Sequence, residues 1–171
     1  MRGAALLALL AALPGAPARA ADAPPIRRFL ESVKLGDTLA VVRQVYPPTR
    51  KWSRTMEPSG GVERIIIQTG QARYLPDAVE SMSLDFKRGR LVRLEVVYSR
   101  EETKKKPLES LVDDLALDYG EPRRADETYF WWDERTVLAA SRVPQPDPSG
   151  KGTELRVRLA VMDRPYFAPL R

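Results

Sequence analysis

The chain contains neither cysteine nor histidine among its 171 residues. Without cysteine it can form no disulfide bond, and it cannot carry the lipid of a lipoprotein, whose acceptor cysteine directly follows the signal peptide. Without histidine it cannot form Ser-His-Asp or Cys-His nucleophile arrangements or most zinc sites. Catalysis by carboxylates alone or by lysine remains possible. These absences favour a protein that is not an enzyme, and the sequence predicts no metal site and no cofactor.

Charges of both signs are nearly balanced. The 28 lysines and arginines stand against 23 acidic residues, for a formal net charge of +5. Two of these arginines, Arg2 and Arg19, would leave with a signal peptide. A mixed surface of this kind is compatible with an anionic membrane or polysaccharide nearby. It does not indicate nucleic-acid binding, which usually requires a concentrated basic stripe with interleaved aromatic side chains.

Residues 1–20 have the features of a secretory signal peptide. Arg2 supplies the positive start, residues 4–12 form an apolar run, and small residues precede a predicted cleavage point after Ala20. The apolar run is shorter than the about 20 residues that a membrane-spanning helix needs. We therefore expect a soluble periplasmic or secreted protein, with no integral membrane segment after cleavage.

The rest of the chain has the length of one ordinary domain. Residues 21–34 contain two adjacent prolines and no periodicity, which predicts an extended leader ending in a short apolar turn or helix. Residues 35–163 are expected to form a single α+β domain. Residues 164–171 are expected to form a C-terminal tail.

The first half of this domain opens with a helix. Asp37 or Thr38 can cap its first free amides, and Pro47-Pro48 ends it. A strand is predicted over residues 62–69 from its β-branched side chains. The alternating residues on both sides of Arg88-Gly89 predict a β-hairpin, because glycine adopts the positive φ that a tight turn requires.

The second half repeats this order. The charged residues 100–106 are interpreted as a solvated linker, and Pro107 suits the first position of a second helix that runs to Tyr119. Strands are then predicted over residues 128–132, 136–143 and 153–163. A loop is predicted over residues 144–152, between the last two strands. The last strand is expected to bury four side chains: Leu155, Val157, Leu159 and Val161.

These elements predict an α+β fold in which two short helices pack on an antiparallel sheet of about six strands. Each helix ends in a tyrosine followed by proline, at Tyr46-Pro47-Pro48 and Tyr119-Gly120-Glu121-Pro122, and tryptophan follows each end. These shared features are typical of a fold built from two tandem α-β-β(-β) units, here with half-repeats at 35–99 and 107–163.

Leu35-Gly36-Asp37-Thr38, followed by Val41, Val45 and a terminal proline, resembles the helix opening of small envelope proteins. These are the outer-membrane assembly lipoproteins of the BamE/SmpA type and the β-lactamase-inhibitor-protein-like domains. Tyr119-Gly120-Glu121-Pro122 and Trp131-Trp132-Asp133 are similar to the second-helix region of such domains. The resemblance implies a helical hairpin on an antiparallel sheet, sometimes in tandem, whose members bind other proteins. The chain lacks the lipidated cysteine of the lipoproteins and the disulfide cysteines of the inhibitors.

The aromatic strand is the leading candidate for a binding site. Side chains alternate along a strand, so Tyr129 and Trp131 share one face and Phe130 and Trp132 share the other. If one face of the sheet is covered, one pair belongs to the core and the other forms a binding patch. If the tail or the leader covers the second face, both pairs are buried. The sequence leaves open which pair is exposed.

Three arginines complete the candidate contact surface. Arg93, Arg156 and Arg158 are expected on the outward sheet face, with Asp85, Lys87 and Glu95. These residues can form ordinary cross-strand ion pairs, each of small energetic value, or an Arg-aromatic contact face for a partner. The two interpretations are compatible.

The function expected from these observations is a non-enzymatic protein-binding module of the bacterial cell envelope. The partner would be an envelope or secreted protein. One alternative is a secreted hydrolase or inhibitor that uses carboxylates, which requires two acidic residues converging in a pocket. The other is a purely structural envelope protein.

Overall fold

The computed structural model describes residues 24–57, 61–147, 150 and 152–166. The predicted signal peptide at 1–20 and the last part of the tail, 167–171, lie outside the described residues. Within the described ranges, no helix is both long enough and apolar enough to cross a membrane.

The described elements follow one another in a regular order. Along the chain they are β1 (Phe29–Leu30), β2 (Val33–Lys34), α1 (Leu39–Val45), β3 (Ser53–Glu57), β4 (Val62–Gln68), β5 (Val79–Lys87), β6 (Arg90–Tyr98), α2 (Arg100–Lys105), α3 (Leu108–Tyr119), β7 (Arg123–Ala125), β8 (Thr128–Trp132), β9 (Thr136–Pro146) and β10 (Thr153–Asp163). A single 3-10 turn, Arg164–Tyr166, follows β10.

Eight of the strands form one antiparallel sheet in the order β3-β4-β5-β6-β10-β9-β8-β7. The α+β class is therefore confirmed, but strands dominate it: the described chain has three helices and this large sheet, where two helices and about six strands were expected. The unexpected strands are the two at the sheet edges, β3 and β7. They are short and polar, so they lack the apolar alternation that predicts a strand.

Each half of the sheet is a four-stranded meander preceded by a helix. Strands β3 to β6 follow α1, strands β7 to β10 follow α3, and the last strands of the two meanders pair at the centre. That the halves are copies of one unit remains a prediction.

The predicted hairpin is confirmed as β5 and β6. Arg88 and Gly89 have φ angles of 50° and 73°, as a two-residue turn with two positive φ angles requires. Leu84 opposes Leu94 and Met82 opposes Val96, and all four side chains are buried. The hairpin therefore supplies the middle of the hydrophobic core.

One face of the sheet, which we call the helix face, carries the main core. The buried side chains of α1 and α3 pack there against the inward residues of the strands. Thr38 caps α1, as predicted, by accepting a hydrogen bond from the Val41 amide. Pro107 precedes α3 as its N-cap residue and is not its first helical residue, a small correction to the prediction.

The leader covers part of the helix face and is not extended throughout. Strands β1 and β2 form a small hairpin, where the sequence predicted a turn or helix, and Val33 is fully buried within it. The Arg28 guanidinium pairs with Asp163 at 2.5 Å, and the Ile26 amide donates to an Asp133 carboxylate oxygen at 2.8 Å. These long-range contacts tie the N-terminal segment to the turn between β8 and β9 and to the end of β10.

The prediction of a solvated linker over residues 100–106 is wrong, because most of this segment forms α2. Ser99 caps this helix, acidic residues occupy its first turn, and lysines occupy its last, which complements the helix dipole. The Thr103 hydroxyl accepts a hydrogen bond from the Val157 amide at 3.1 Å. Pairing between β10 and β6 begins only at Arg158, so α2 satisfies a backbone donor that β6 does not reach.

Two further expectations, both about the end of β9 and the start of β10, differ from the structure. Strand β9 continues to Pro146, so the predicted loop at 144–152 begins later than expected. Leu155, predicted to be buried, is 56% exposed, because it lies on the part of β10 beyond the end of β6. Val157, Leu159 and Val161 are buried as predicted.

Two leucines on β10 provide a matched test of this core. We expect Leu159→Ala to lower the free energy of unfolding by about 2–5 kcal/mol, because its side chain is 6% exposed. Leu155→Ala should change it by no more than about 0.5–1 kcal/mol. Urea denaturation of both variants checks this expectation, and equal losses would contradict the exposure of the part of β10 that lies beyond β6.

Tyr46, which is buried, and Tyr98, which is partly buried, converge on the turn of the β1–β2 hairpin. The Tyr46 hydroxyl donates to the Glu31 carbonyl oxygen. Burial, and secondarily the Glu31 charge, raises the pKa of Tyr46 to about 12. Burial also raises the pKa of Tyr98, and the charge and hydrogen bond of Glu31 add to this effect. The folded state therefore resists ionisation of both hydroxyls.

These shifts predict alkaline destabilisation. Above about pH 10 the tyrosines ionise in the unfolded chain but not in the folded one. Stability is thus lost as the pH rises from about 10 toward the folded pKa of Tyr46, about 12. Denaturant unfolding across this range should show a shallower loss for Tyr46→Phe and Tyr98→Phe than for the wild type. Tyr74→Phe, at an exposed tyrosine, is the control, and an identical pH dependence in all variants would contradict the expectation.

Candidate functional site

The candidate site lies on the sheet face opposite the helices, which we call the outer face. The described buried side chains of α1 and α3 all belong to the core on the helix face, so neither helix packs on the outer face. The register of the sheet places two main rows of side chains across it. One row is Arg64, Asp85, Arg93, Met162, Val137 and Trp132. The other is Ile66, Ser83, Glu95, Ala160, Ala139 and Phe130.

Part of the outer face, where the end of β10 meets β9 and β8, is apolar. A second hydrophobic cluster lies here, separate from the main core, and its buried members are Val137, Ala139, Ala160 and Met162. Phe130 opposes Ala139 and Trp132 opposes Val137, and both aromatic side chains pack on the cluster while remaining partly exposed. The aromatics therefore form the solvent-side layer of this part.

The part formed by β4, β5 and β6 carries alternating charges. Arg64 binds Asp85 through two hydrogen bonds, of 2.7 and 2.8 Å, and the hydrogen bond to Asp85 raises the pKa of this guanidinium further. Arg93 Nη2 lies 2.6 Å from Glu95 Oε2. These ion pairs hold the Arg64 and Arg93 side chains in defined positions on the sheet.

Glu95 stands between two arginines at the boundary of the two parts. Arg158 Nη1 lies 3.7 Å from Glu95 Oε2, and Arg158 Nε donates to the Ser141 hydroxyl at 2.9 Å. The Arg93 and Arg158 side chains remain 37% and 28% exposed. Since one carboxylate serves both guanidinium groups, some of the arginine donors remain available to solvent.

Four of the seven predicted contact residues lie together on the outer face: Arg93, Phe130, Trp132 and Arg158. The pair on the outer face is therefore Phe130 and Trp132, and both are partly exposed. This answers what the sequence left open, because only the pairing of β8 with β9 decides which face each aromatic side chain occupies.

The other three predicted residues do not join this group. Trp131 is 3% exposed on the helix face, where its indole Nε1 donates to the Gly120 carbonyl at 2.8 Å. Tyr129 lies on the same face, with the Arg124 guanidinium 5.5 Å from its ring centroid. Arg156 lies on the outer face but is 2% exposed. Trp131 therefore belongs to the core pair that the sequence allowed for, and Arg156 is buried on the outer face where the sequence predicted an exposed side chain. That any of the seven residues contacts a partner stays a prediction.

Arg156 has a structural role. Its Nε lies 3.1 Å from Glu80 and its Nη1 lies 2.6 Å from Glu154, so two carboxylates compensate the buried charge. The hydrogen bonds and charges of these two residues raise the pKa of Arg156 against the opposing effect of burial.

The sequence missed Ser141, Val137 and Met162 as members of the outer face. Residues 136–141 are all buried, on both faces of β9. A continuous run of small and apolar residues of this kind has no alternation from which faces can be read.

The described residues contain no group of three or more acidic side chains arranged to hold a metal ion. Comparison with protein-family models, with curated proteins and with solved structures gave no significant match. The resemblance to BamE/SmpA-type and β-lactamase-inhibitor-protein-like domains therefore stays a prediction.

The two adjacent tryptophans provide a direct test of the two faces. Trp131→Ala should lower the free energy of unfolding by about 3–5 kcal/mol, because it removes a core side chain and leaves the Gly120 carbonyl without its donor. Trp132→Ala should cost clearly less, because its ring is partly exposed. Guanidinium denaturation measures both, and equal losses would show that the outer face is as buried as the core.

Proposed function

We propose that this protein is a non-enzymatic protein-binding module of the bacterial cell envelope and that it binds its partner through the outer face. The observation that carries the proposal is that Trp132 and two partly exposed arginines, Arg93 and Arg158, share one sheet face on which neither α1 nor α3 packs.

The residue types on this face are those that dominate protein interfaces. Tryptophan and arginine are enriched among the residues whose removal weakens binding most. Trp132 rests on the buried Val137, so its ring is held in place before binding. Arg158 is likewise held by Ser141 and Glu95. Side chains that are already ordered lose less conformational entropy on association.

The residues of the face favour a partner that presents both an apolar anchor and a carboxylate. The apolar anchor would pack against Trp132, and the carboxylate would accept hydrogen bonds from Arg93 or Arg158, whose partner Glu95 is shared. The cell-envelope location rests on the predicted signal peptide and on the resemblance to small envelope proteins.

A crosslinking pull-down from an envelope fraction tests the proposal. The wild-type protein should capture one dominant protein, and this protein should be lost with Trp132→Ala and with Arg158→Ala. Leu117→Ala is the control, because Leu117 is 87% exposed on α3, away from the outer face. With the purified partner, each outer-face variant should weaken binding by roughly 30-fold, which corresponds to a loss of about 2 kcal/mol.

Two outcomes would contradict this function. Capture of the same protein by all variants would assign binding to another surface. Recovery of the folded protein alone, with no partner, would favour a small-molecule, glycan or catalytic role, or a purely structural one.

A further inference from the structure

A cavity of about 470 Å³ lies at the β3 edge of the sheet, between α1 and β3. Leu39 and Arg43 of α1, Arg54 of β3 and Ile65 of β4 line it, together with residues 48–52. Ile65 belongs to the core of the helix face, so this cavity, which we call the basic pocket, is separate from the outer face.

The charged residues that line the basic pocket are all positive. Four of its nine lining residues are cationic, namely Arg43, Arg50, Lys51 and Arg54, and none is acidic. Arg54 pairs with Glu63. Within the described part of the chain, no carboxylate forms an ion pair with Arg43, Arg50 or Lys51. In a chain of nearly balanced charge, three uncompensated cations around one cavity repel one another, and a bound anion would relieve that repulsion.

The segment that carries Arg50 and Lys51 is held firmly against a neighbouring loop. The Thr49 amide donates to the Gln71 carbonyl at 3.0 Å, and the Thr49 hydroxyl donates to the Gly70 carbonyl at 2.8 Å. The Trp52 indole Nε1 donates to the same Gln71 carbonyl at 3.0 Å. The backbone of the basic pocket is thus organised before any ligand arrives, which lowers the entropy cost of binding.

One wall of the pocket is apolar. Leu39, Pro48 and Ile65 form it, and Trp52 lies beneath the Arg43 guanidinium, which is 5.9 Å from its ring centroid. The cavity is within the size range of small-molecule sites, about 300–1,000 Å³, and is much larger than a single inorganic anion requires. Its shape and lining therefore suit a ligand with an anionic group and an attached apolar part.

We propose that the basic pocket binds the phosphoryl group of a small organic phosphate or of a phospholipid head group, with the apolar part of the ligand against Leu39 and Ile65. A phosphoryl group is favoured because arginine guanidinium groups match its oxygens with paired hydrogen bonds, and lysine adds a mobile point charge. Several cations around one cavity suit a group that carries up to two negative charges.

The test follows the Trp52 indole N–H resonance by NMR. The chain has three tryptophans, and Trp52→Phe assigns the resonance by removing it. The probes are phenyl phosphate and benzoate at constant ionic strength, followed by phosphatidylcholine vesicles with and without phosphatidylglycerol. We expect phenyl phosphate to shift the Trp52 resonance saturably and to bind more tightly than benzoate.

A charge-matched pair of variants separates a specific site from general attraction. Arg50→Gln/Lys51→Gln removes two exposed cations from the pocket, and Lys104→Gln/Lys105→Gln removes two exposed cations from α2. The pocket variant should lose affinity for phenyl phosphate by at least about tenfold, the expected effect of losing a charged hydrogen bond. The α2 variant should bind like the wild type, and so should Trp132→Ala, because the outer face is a separate surface.

Each outcome decides the proposal. Binding of phenyl phosphate with this variant pattern supports a soluble ligand. Binding only to vesicles that contain phosphatidylglycerol, with the same pattern, supports a lipid head group. Equal binding of benzoate, equal losses in the two double variants, or no saturable shift with any probe would overturn the proposal and would leave the function proposed for the outer face untouched.

Discussion

The pairing of β6 with β10 joins the two halves of this protein. Residues in register run from Val97 opposite Arg158 to Arg93 opposite Met162, although the two strands are far apart in sequence. The pairing turns two four-stranded meanders into one sheet with a shared core, in which Leu94 and Val161 are both fully buried. It also brings the charged strands beside the apolar ones. The outer face, with arginines and aromatic side chains on one continuous surface, exists only because of this pairing.

Unequal covering of the two faces determines which residues are free to bind. The N-terminal hairpin, α1 and α3 all bury side chains on the helix face. The salt bridge between Arg28 and Asp163 holds the N-terminal segment there. Neighbouring residues of β8 consequently have opposite roles. Trp131 is a core residue with a satisfied indole donor, whereas Trp132 reaches solvent above a small second cluster.

Arginine serves different purposes at three places in this chain. Arg156 is buried between two carboxylates and stabilises the sheet. Arg93 and Arg158 share Glu95 on the outer face, which orders them and leaves donors available. Arg43 and Arg50 line a cavity without a carboxylate partner among the described residues. The number of carboxylates that pair with each arginine therefore distinguishes the structural arginine from those that are candidates for binding a protein or a phosphate.

Local features of the fold were predictable from the sequence, because they depend on neighbouring residues. The Thr38 cap, the Arg88-Gly89 turn and the apolar stripe of α3 each involve hydrogen bonds or side-chain periods of a few residues. The alternation along β8 likewise determined that Trp131 and Trp132 face opposite ways. Only the tertiary structure decided which of them is buried, that polar edge strands extend the sheet, and that Arg50 and Arg43 line one cavity. The physical reason is that these outcomes depend on long-range strand register and on which face the helices cover.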